Sequence, residues 1–377
     1  MSNVPKLRFK EFSGEWEEKL FGDIVTNKSK KYNPEKESIS YKCIELEHLS
    51  TESGELLGYV DSLNLGSIKN KFNKNNVLFG KLRPYLKKYL LAPFDGVCSS
   101  EIWVLNGVDV TNCFLYYIVQ SDYFIGLANQ SSGSKMPRAD WNIIKNSIFF
   151  IPEKQEQEKI ASFLTSVDTK IEQLTKKEEL LQQYKKGVMQ KIFNQEIRFK
   201  ADDGSEFCEW EEKKLGDILD YIQPTKYLVK GTEYNDSYII PVLTAGKTFI
   251  LGYTNETDGV FENNLPVIIF DDFTTANKFV NFPFKAKSSA MKILVLKNNN
   301  NIKFIYEAMQ MIKYEVGGHE RHWISKFSFL NIFIPCIEEQ TKIANFLSSI
   351  DSKIEQVQKQ LNFTKEFKKA LLQQMFV

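Results

Sequence analysis

The sequence predicts a mixed α/β (α+β) protein built twice. Two globular bodies stand in tandem, separated by two long helices that form an antiparallel coiled coil, and the halves are related by a pseudo-two-fold internal duplication. Three observations predict it. A long segment recurs at a constant offset, both copies carry an apolar stripe at heptad spacing, and the stretches between them break into short β-type runs with helices interspersed.

The duplication is read directly. Residues 151–193, IPEKQEQEKIASFLTSVDTKIEQLTKKEELLQQYKKGVMQKIF, align without gaps on residues 334–376, IPCIEEQTKIANFLSSIDSKIEQVQKQLNFTKEFKKALLQQMF. The offset is 183, with 20 identities in 43 positions. A second repeat opens each half: GEWEEKLFGDIV (14–25) matches CEWEEKKLGDIL (208–219), so Trp16 faces Trp210 and Gly22 faces Gly216. A short L/I-R-F-K tag precedes each, at 7–10 and 197–200. Residues 40–140 and 230–325 show no convincing match. Ends alike and middles unlike predict a common frame carrying two different bodies.

The helices follow from the repeat. Pro152 and Pro335 close strand-like runs, NSIFFI and NIFI, and restrict what comes next. Beyond them Ile160, Leu164, Val167, Ile171, Leu174, Leu181, Val188 and Ile192 fall on a 4-3 spacing. Ile343, Leu347, Ile350, Ile354, Val357, Leu361, Leu371 and Met375 repeat it in the same phase. Glu178 and Lys185 interrupt one stripe, Thr364 and Lys368 the other. Each helix should run about 38 residues, or roughly 57 Å. One apolar stripe on so long a helix requires a partner, and the other copy, packed antiparallel, is expected. Phe163, Phe346, Tyr184, Phe367, Phe193 and Phe376 flank the stripes. Two readings of them stand open: a face on which further helices dock, or seats for the helix ends on the bodies.

The bodies read as short strands broken by Gly, Asn and Pro, such as NVLFG (76–80), GVCSSEIWVL (96–105), LPVIIF (265–270) and AMKILVL (290–296). Helices such as TNCFLYYIVQSD (111–122) lie among them. Of the 377 residues, 42% are hydrophobic and 26% charged, enough for two buried cores and unlike a disordered chain. The five cysteines, widely spaced and without a C-x-x-C pair, fit reduced thiols in a cytoplasm. No leader-like apolar segment and no membrane-length run appears, so a cytoplasmic protein without membrane contact is expected.

Charge is the most ambiguous feature. Lysine plus arginine number 49 and aspartate plus glutamate 48, a net +1 that by itself argues against a nucleic-acid binder. The sum conceals segregation. Residues 62–97 hold Lys69, Lys71, Lys74, Lys81, Arg83, Lys87 and Lys88 against one acid, Asp95. Residues 273–303 hold Lys278, Lys285, Lys287, Lys292, Lys297 and Lys303 and no acid. A basic run with interleaved aromatics is the footprint of phosphate binding, whereas its bland reading is a solvated face. Its occurrence in both bodies favours the footprint.

Two polar loops precede the Ile-Pro boundaries, NQSSGSKMPRADW (129–141) and GGHERHW (317–323). Their Ser, Arg and His side chains suit base-edge hydrogen bonds, and Trp141 and Trp323 are expected to be packing anchors. DDFTTANK (271–278) is either a reading loop or a plain strand-to-turn connection. The candidate DNA contacts are therefore Lys81, Arg83, Lys87 and Lys88 with Ser131, Ser132, Lys135 and Arg138 in the first body. In the second they are Thr274, Thr275, Asn277 and Lys278 with His319, Arg321 and His322. Catalytic motifs are missing. AGKT (245–248) has Pro241 where a phosphate loop needs its first glycine. His319, Glu320 and His322, without cysteines, are a weak metal pattern, and no metal is expected. Asn33-Pro34 is followed by Glu35, so the tetrapeptide of amino-methyltransferases is not present.

These residues together resemble a specificity (S) subunit of a type I restriction-modification system. The resemblance is carried by LRFKEFSGEWEEKLFGDI and its second copy, and by the paired Ile-Pro-x-x-x-E-Q-x-K-I-A-x-F-L helices. FGKLRPYLKKYLLAP (79–93), GVCSSEIWVL and GSKMPRADW add to it. It spans essentially the whole chain. It implies target recognition domains at 1–150 and 196–333, each reading one half of a bipartite site in double-stranded DNA, and conserved coiled-coil helices at 151–195 and 334–377. It implies two methyltransferase (modification) subunits docked on that frame, with S-adenosylmethionine, and restriction/translocase subunits using ATP and Mg. This chain itself would bind no cofactor and perform no catalysis. The helix pair would set the spacer: four added residues would lengthen a helix by about 6 Å, nearly two base pairs at ~3.4 Å each. The rival from another class is a coiled-coil scaffold whose bodies bind proteins.

Overall fold

The computed structural model describes residues 3–130, 136–244, 248–314 and 321–377. It divides into two compact units, Met1–Lys176 with Gln358–Val377, and Lys177–Val357. The repeated segments become helices of 40 and 39 residues, Lys154–Phe193 and Ile337–Met375. Each helix is shared between the units.

In the first unit a two-stranded ribbon pairs Glu17–Leu20 antiparallel with Ile148–Ile151. A four-stranded antiparallel sheet follows, in the order Val25–Thr26, Ile102–Gly107, Val77–Gly80, Tyr89–Leu91. The run Val77–Gly80 is a central strand buried along its whole length, which explains its unbroken apolar pattern. A five-stranded mixed sheet contains Lys42–Ile44 parallel to Gly96–Cys98. Short helices begin where a side chain caps the free N–H groups: Thr111 caps Asn112–Ile118, Ser121 caps Asp122–Ala128 and Asp140 caps Trp141–Lys145.

The second unit repeats this plan. Glu211–Lys214 pairs with Asn331–Ile334. A four-stranded sheet runs Leu219–Ile222, Met291–Leu296, Val267–Asp271, Asn277–Val280. A smaller sheet sets Ile240–Leu243 parallel to Lys285–Ala286. The bodies without sequence resemblance therefore share one strand order. Apolar residues exchange freely in a buried strand, VLFG for VIIFD, so the topology persists after the identities are gone. After residues 245–247, which lie outside the described residues, the chain enters the strand Ile250–Thr254, where a phosphate loop would open a helix.

The repeated residues fasten each body to the helices. Arg8 grips the buried Glu156 carboxylate with two bonds, Nε–Oε1 2.8 Å and Nη2–Oε2 2.7 Å. Arg198 grips the buried Glu339 in the same way, at 2.9 and 2.9 Å. The neighbouring glutamines hold the following elements. Gln157 accepts from Thr111 N (2.9 Å) and donates to Pro152 O (3.0 Å); Gln340 accepts from Asn301 N (2.9 Å) and donates to Pro335 O (2.8 Å). Thus the tag and the E-Q dipeptide form one clamp, present twice.

Within the first unit the start of one long helix and the end of the other share a core. Ile160, Leu164 and Val167 lie with Leu371 and Met375 among Trp16, Phe114 and Phe124. Within the second unit Met189 and Ile192 lie with Ile343, Leu347 and Ile350 around Trp210 and Phe304. This is the antiparallel arrangement the stripe predicts, with Ile171 and Ile354 half-buried and Leu174 and Val357 buried. Two residues that interrupt the stripes are polar for a reason. Lys368 pairs with Asp168 at 2.7 Å and Lys185 with Asp351 at 2.7 Å, each in its own unit.

Both glycines of the opening motif sit where a backbone passes. A Cβ at Gly22 would meet Lys145 O at 3.1 Å, and one at Gly216 would meet Ser328 O at 2.9 Å. Gly216→Ala is therefore expected to destabilise the protein by about 1–3 kcal/mol through overpacking, seen as a lowered denaturant midpoint. Gly187→Ala is the control. It lies in the long helix with nothing within 4 Å of its would-be Cβ, so that substitution should stabilise by up to about 1 kcal/mol.

Candidate nucleic-acid interface

The hairpins of the two four-stranded sheets end in corresponding loops, and the sequence-predicted contacts fall on both. In the first unit the strands Val77–Gly80 and Tyr89–Leu91 are joined by residues 81–88, KLRPYLKK. Pro84 opens a single 3-10 turn, flanked by two residues in the left-handed region, Arg83 (φ 52°) and Lys87 (φ 47°). The second polar loop lies on this one. Arg83 N donates to Pro137 O (2.8 Å), Ala139 N donates to Lys81 O (2.8 Å), and Leu82 bridges Arg138. Two segments some way apart in the chain thus form one surface. Non-glycine residues at positive φ cost energy and persist where the surroundings hold them, commonly at functional sites.

In the second unit the strands Val267–Asp271 and Asn277–Val280 are joined by a tighter turn. Asp271 Oδ1 accepts from Phe273 N (2.8 Å) and Thr274 N (3.2 Å), an Asx-type turn, and Thr275 is left-handed (φ 59°). Again the second polar loop is docked. The buried Asp272 accepts from Trp323 N at 2.9 Å through Oδ1, and its carbonyl accepts from His322 N at 3.0 Å. DDFTTANK is a strand-to-turn connection and at the same time the anchor of the other loop.

The exposed cations differ from the sequence clusters. Arg83 is exposed and Lys81 half-buried, and neither side chain has a hydrogen-bond or ion-pair partner among the described residues. Arg138 is exposed with Nε 3.0 Å from Glu101 Oε2. Lys278, Thr274 and Arg321 are exposed on the second unit and Thr275 half-buried. Lys87 turns to Glu52 (3.4 Å), and Lys88 Nζ is spent on Leu46 O (2.6 Å). Asn277 is half-buried and bonds Gln310 and Thr275 O.

Part of each basic run faces inward. Lys69 is buried against Glu45 and Lys71 pairs with Glu37. Lys285 and Lys292 are buried on Glu256 (2.8 Å) and Asp272 (3.5 Å). The Lys285 ammonium, bonded to the Glu256 carboxyl, holds it down at about 2. Lys69, Lys285 and Lys292 lie on buried strands, so part of each run that looks basic in sequence is taken up in internal ion pairs. His322 is also corrected. It is 0% exposed, its Nδ1 3.2 Å from Tyr314 Oη and its Nε2 without a partner among the described residues, so it offers no edge to a base. Its place is fixed by the adjoining Trp323, which packs on Phe270 and Phe327. Ser131, Ser132, Lys135 and His319 lie outside the described residues. No group of three metal-ligating side chains occurs among the described residues, and no helix is long and apolar enough to cross a membrane.

The flanking aromatics divide between the two readings. Phe163 packs on Phe9 and Phe346 on Phe199, both rings of the R-F-K tags. Phe193 packs on Trp210 and Phe304, and Phe376 on Phe114. Tyr184 and Phe367 instead stay exposed. With Leu180 and Phe363, one turn earlier, they give each long helix an uncovered apolar pair at the same place in the repeat. Phe363 and Phe367 stack on one another at 6.5 Å.

The chain is similar to known proteins over both units. The model of the type I restriction modification DNA specificity domain matches twice, at residues 13–182 and 208–363. A specificity subunit of the Escherichia coli type I restriction enzymes EcoR124I/EcoR124II is 53% identical over 153 residues, 39% of this chain and 37% of that protein's length. The putative MjaX specificity subunit of Methanocaldococcus jannaschii is 24% identical across 98% of this chain and 95% of its own. In structure, the S subunit of a type I restriction-modification system from M. genitalium superposes with TM-score 0.65 at 17% identity, covering 99% of both chains. Two matched domains in tandem, each with the clamp, the hairpin loop and the docked second loop, place this chain in the specificity-subunit family of type I restriction-modification systems.

Proposed function

We propose that this chain reads a bipartite sequence in double-stranded DNA, each unit reading one half, and that it carries no catalysis of its own. The observation that carries the reading is the doubled loop pair. Two bodies without sequence resemblance hold the same two loops together, with left-handed backbone and outward cations. Lys81, Arg83 and Arg138 would meet phosphates and base edges in one half-site, and Thr274, Lys278 and Arg321 in the other. The stretch of paired helix between the bodies would set the spacer. The pairs Leu180–Tyr184 and Phe363–Phe367, one per repeat, would each seat one methyltransferase subunit. Methylation with S-adenosylmethionine, and ATP- and Mg-dependent translocation and cleavage, then belong to partner subunits.

The test is salt-dependent binding of duplex DNA by this chain in complex with its methyltransferase. Each phosphate deprived of its protein cation takes about 0.9 off the slope of log K against log salt. Lys81→Ala with Arg83→Ala should therefore flatten the slope by about 2. Lys71→Ala, whose ammonium is already paired, should leave it unchanged. A complex that shows no salt-sensitive DNA binding would return the chain to the scaffold reading.

A further inference from the structure

Each hairpin loop also presents a ring that sequence reasoning passes over. Tyr85 stands at the centre of the 3-10 turn between Arg83 and Lys87 and is 52% exposed. Phe273 stands in the Asx-type turn of the corresponding loop and is 46% exposed. Neither ring packs on another aromatic among the described residues, and the Tyr85 hydroxyl has no protein partner there. A single exposed aromatic is ordinary on a surface. Two in the corresponding hairpin loops of two bodies that share no sequence there are not explained by the fold, since neither ring joins a core.

We propose that Tyr85 and Phe273 are specificity-determining residues: each ring packs against the C5-methyl group of a thymine in the major groove of its half-site. The inference rests on the DNA-reading function proposed above. Apolar contact with the thymine methyl is one of the few non-hydrogen-bonding ways to read a base. The turns are suited to it. Pro84 is buried, Leu86 N donates to Arg83 O (2.9 Å) and Lys87 N to Pro84 O (2.9 Å), so Tyr85 is carried on a backbone held from both sides. Phe273 is held by Asp271 Oδ1 (2.8 Å), and Asp272 behind it is buried. A ring has only two side-chain torsions to order on contact, which lowers the entropy cost. Both residues are about half exposed, which leaves surface for contact with a methyl group.

The test begins by sequencing the methylome of a cell expressing this subunit with its methyltransferase, which gives both half-sites. Duplexes are then made with each thymine singly replaced by deoxyuridine, which lacks only the methyl. Dissociation constants are measured for complexes carrying wild type, Tyr85→Ala, Tyr85→Phe or Phe273→Ala. At one thymine of one half-site, deoxyuridine should weaken wild type and Tyr85→Phe about four-fold, the ~0.8 kcal/mol of one buried methyl. It should leave Tyr85→Ala unaffected. Phe273→Ala should lose the same discrimination at a thymine of the other half-site. Half-sites in which every thymine responds equally in wild type and variants, or in which none responds, overturn the proposal. Retained salt-sensitive binding with no such coupling defeats this inference alone. Absence of salt-sensitive binding in the wild type defeats the DNA-reading function as well.

Discussion

Arg8→Ala should destabilise the first unit by about 3–5 kcal/mol, the cost of stranding a buried charge. Glu156 is fully buried, and both bonds its carboxylate makes among the described residues come from the Arg8 guanidinium, Nε to Oε1 and Nη2 to Oε2. The nearby Trp16 Nε1 is itself without a partner among the described residues and makes no bond to that carboxylate. The duplicate clamp supplies an internal comparison. Glu339 accepts the Arg198 fork, and also Trp210 Nε1 (3.2 Å) and Phe199 N (3.3 Å). Arg198→Ala therefore leaves Glu339 with two donors and should cost less, about 2–3 kcal/mol. Arg8→Lys should fall between wild type and Arg8→Ala, because an ammonium keeps the charge but not the two-pronged geometry. Denaturant midpoints of the three variants decide the matter. Equal losses for Arg8→Ala and Arg198→Ala would mean that the added donors to Glu339 carry nothing.

The clamp was the most legible part of the molecule. Arg8, Trp16, Gly22, Glu156 and Gln157 all stand in repeated positions, and all prove to fix a body to the helices or one backbone to another. The heptad stripe was legible for the same reason: it is a one-dimensional pattern with a one-dimensional consequence. The bodies were not. Their common strand order rests on which residues are apolar, and Val, Ile, Leu and Phe replace one another there without leaving an identity to detect.

Charge misled in a specific way. Lys69, Lys285 and Lys292 contribute to basic runs in sequence, yet each lies buried on a strand, opposite an acid from a distant segment. Glu45, Glu256 and Asp272 give no sign in the sequence of where they will end. His322 was misplaced by the same limit, since its burial is decided by the Trp323 beside it. Tyr85 and Phe273 could have been found. Each is an aromatic inside a turn-forming polar stretch, RPYLK and DDFTT, where nothing local asks for a ring.

Lys185 and Lys368, read as interruptions of the stripe, are its register marks, and Lys185→Met should show this. Lys185 Nζ lies 3.0 Å from Glu307 Oε1 and 2.7 Å from Asp351 Oδ1, and Lys303 Nζ bonds the same two carboxylates at 2.7 and 2.8 Å. Glu307 is fully buried. Removing one of two cations leaves two acids on one ammonium, and a loss of about 2–4 kcal/mol is expected. The loss should depend on pH. Burial raises the Asp351 carboxyl, and the bonds from Lys185 and Lys303 more than offset it, leaving it below its ordinary value of 3.8. A carboxyl depressed in the folded state adds stability above its unfolded value and loses it as pH falls through the folded one. The gap between wild type and Lys185→Met should thus be full at pH 7 and shrink below about pH 4. Adding Glu307→Leu to Lys185→Met removes the stranded acid as well, and should recover most of the loss, since apolar replacement of a whole buried pair is often neutral. If Lys185→Met alone unfolds at the wild-type midpoint at pH 7, the lysine holds no register and the polar break in the stripe is incidental.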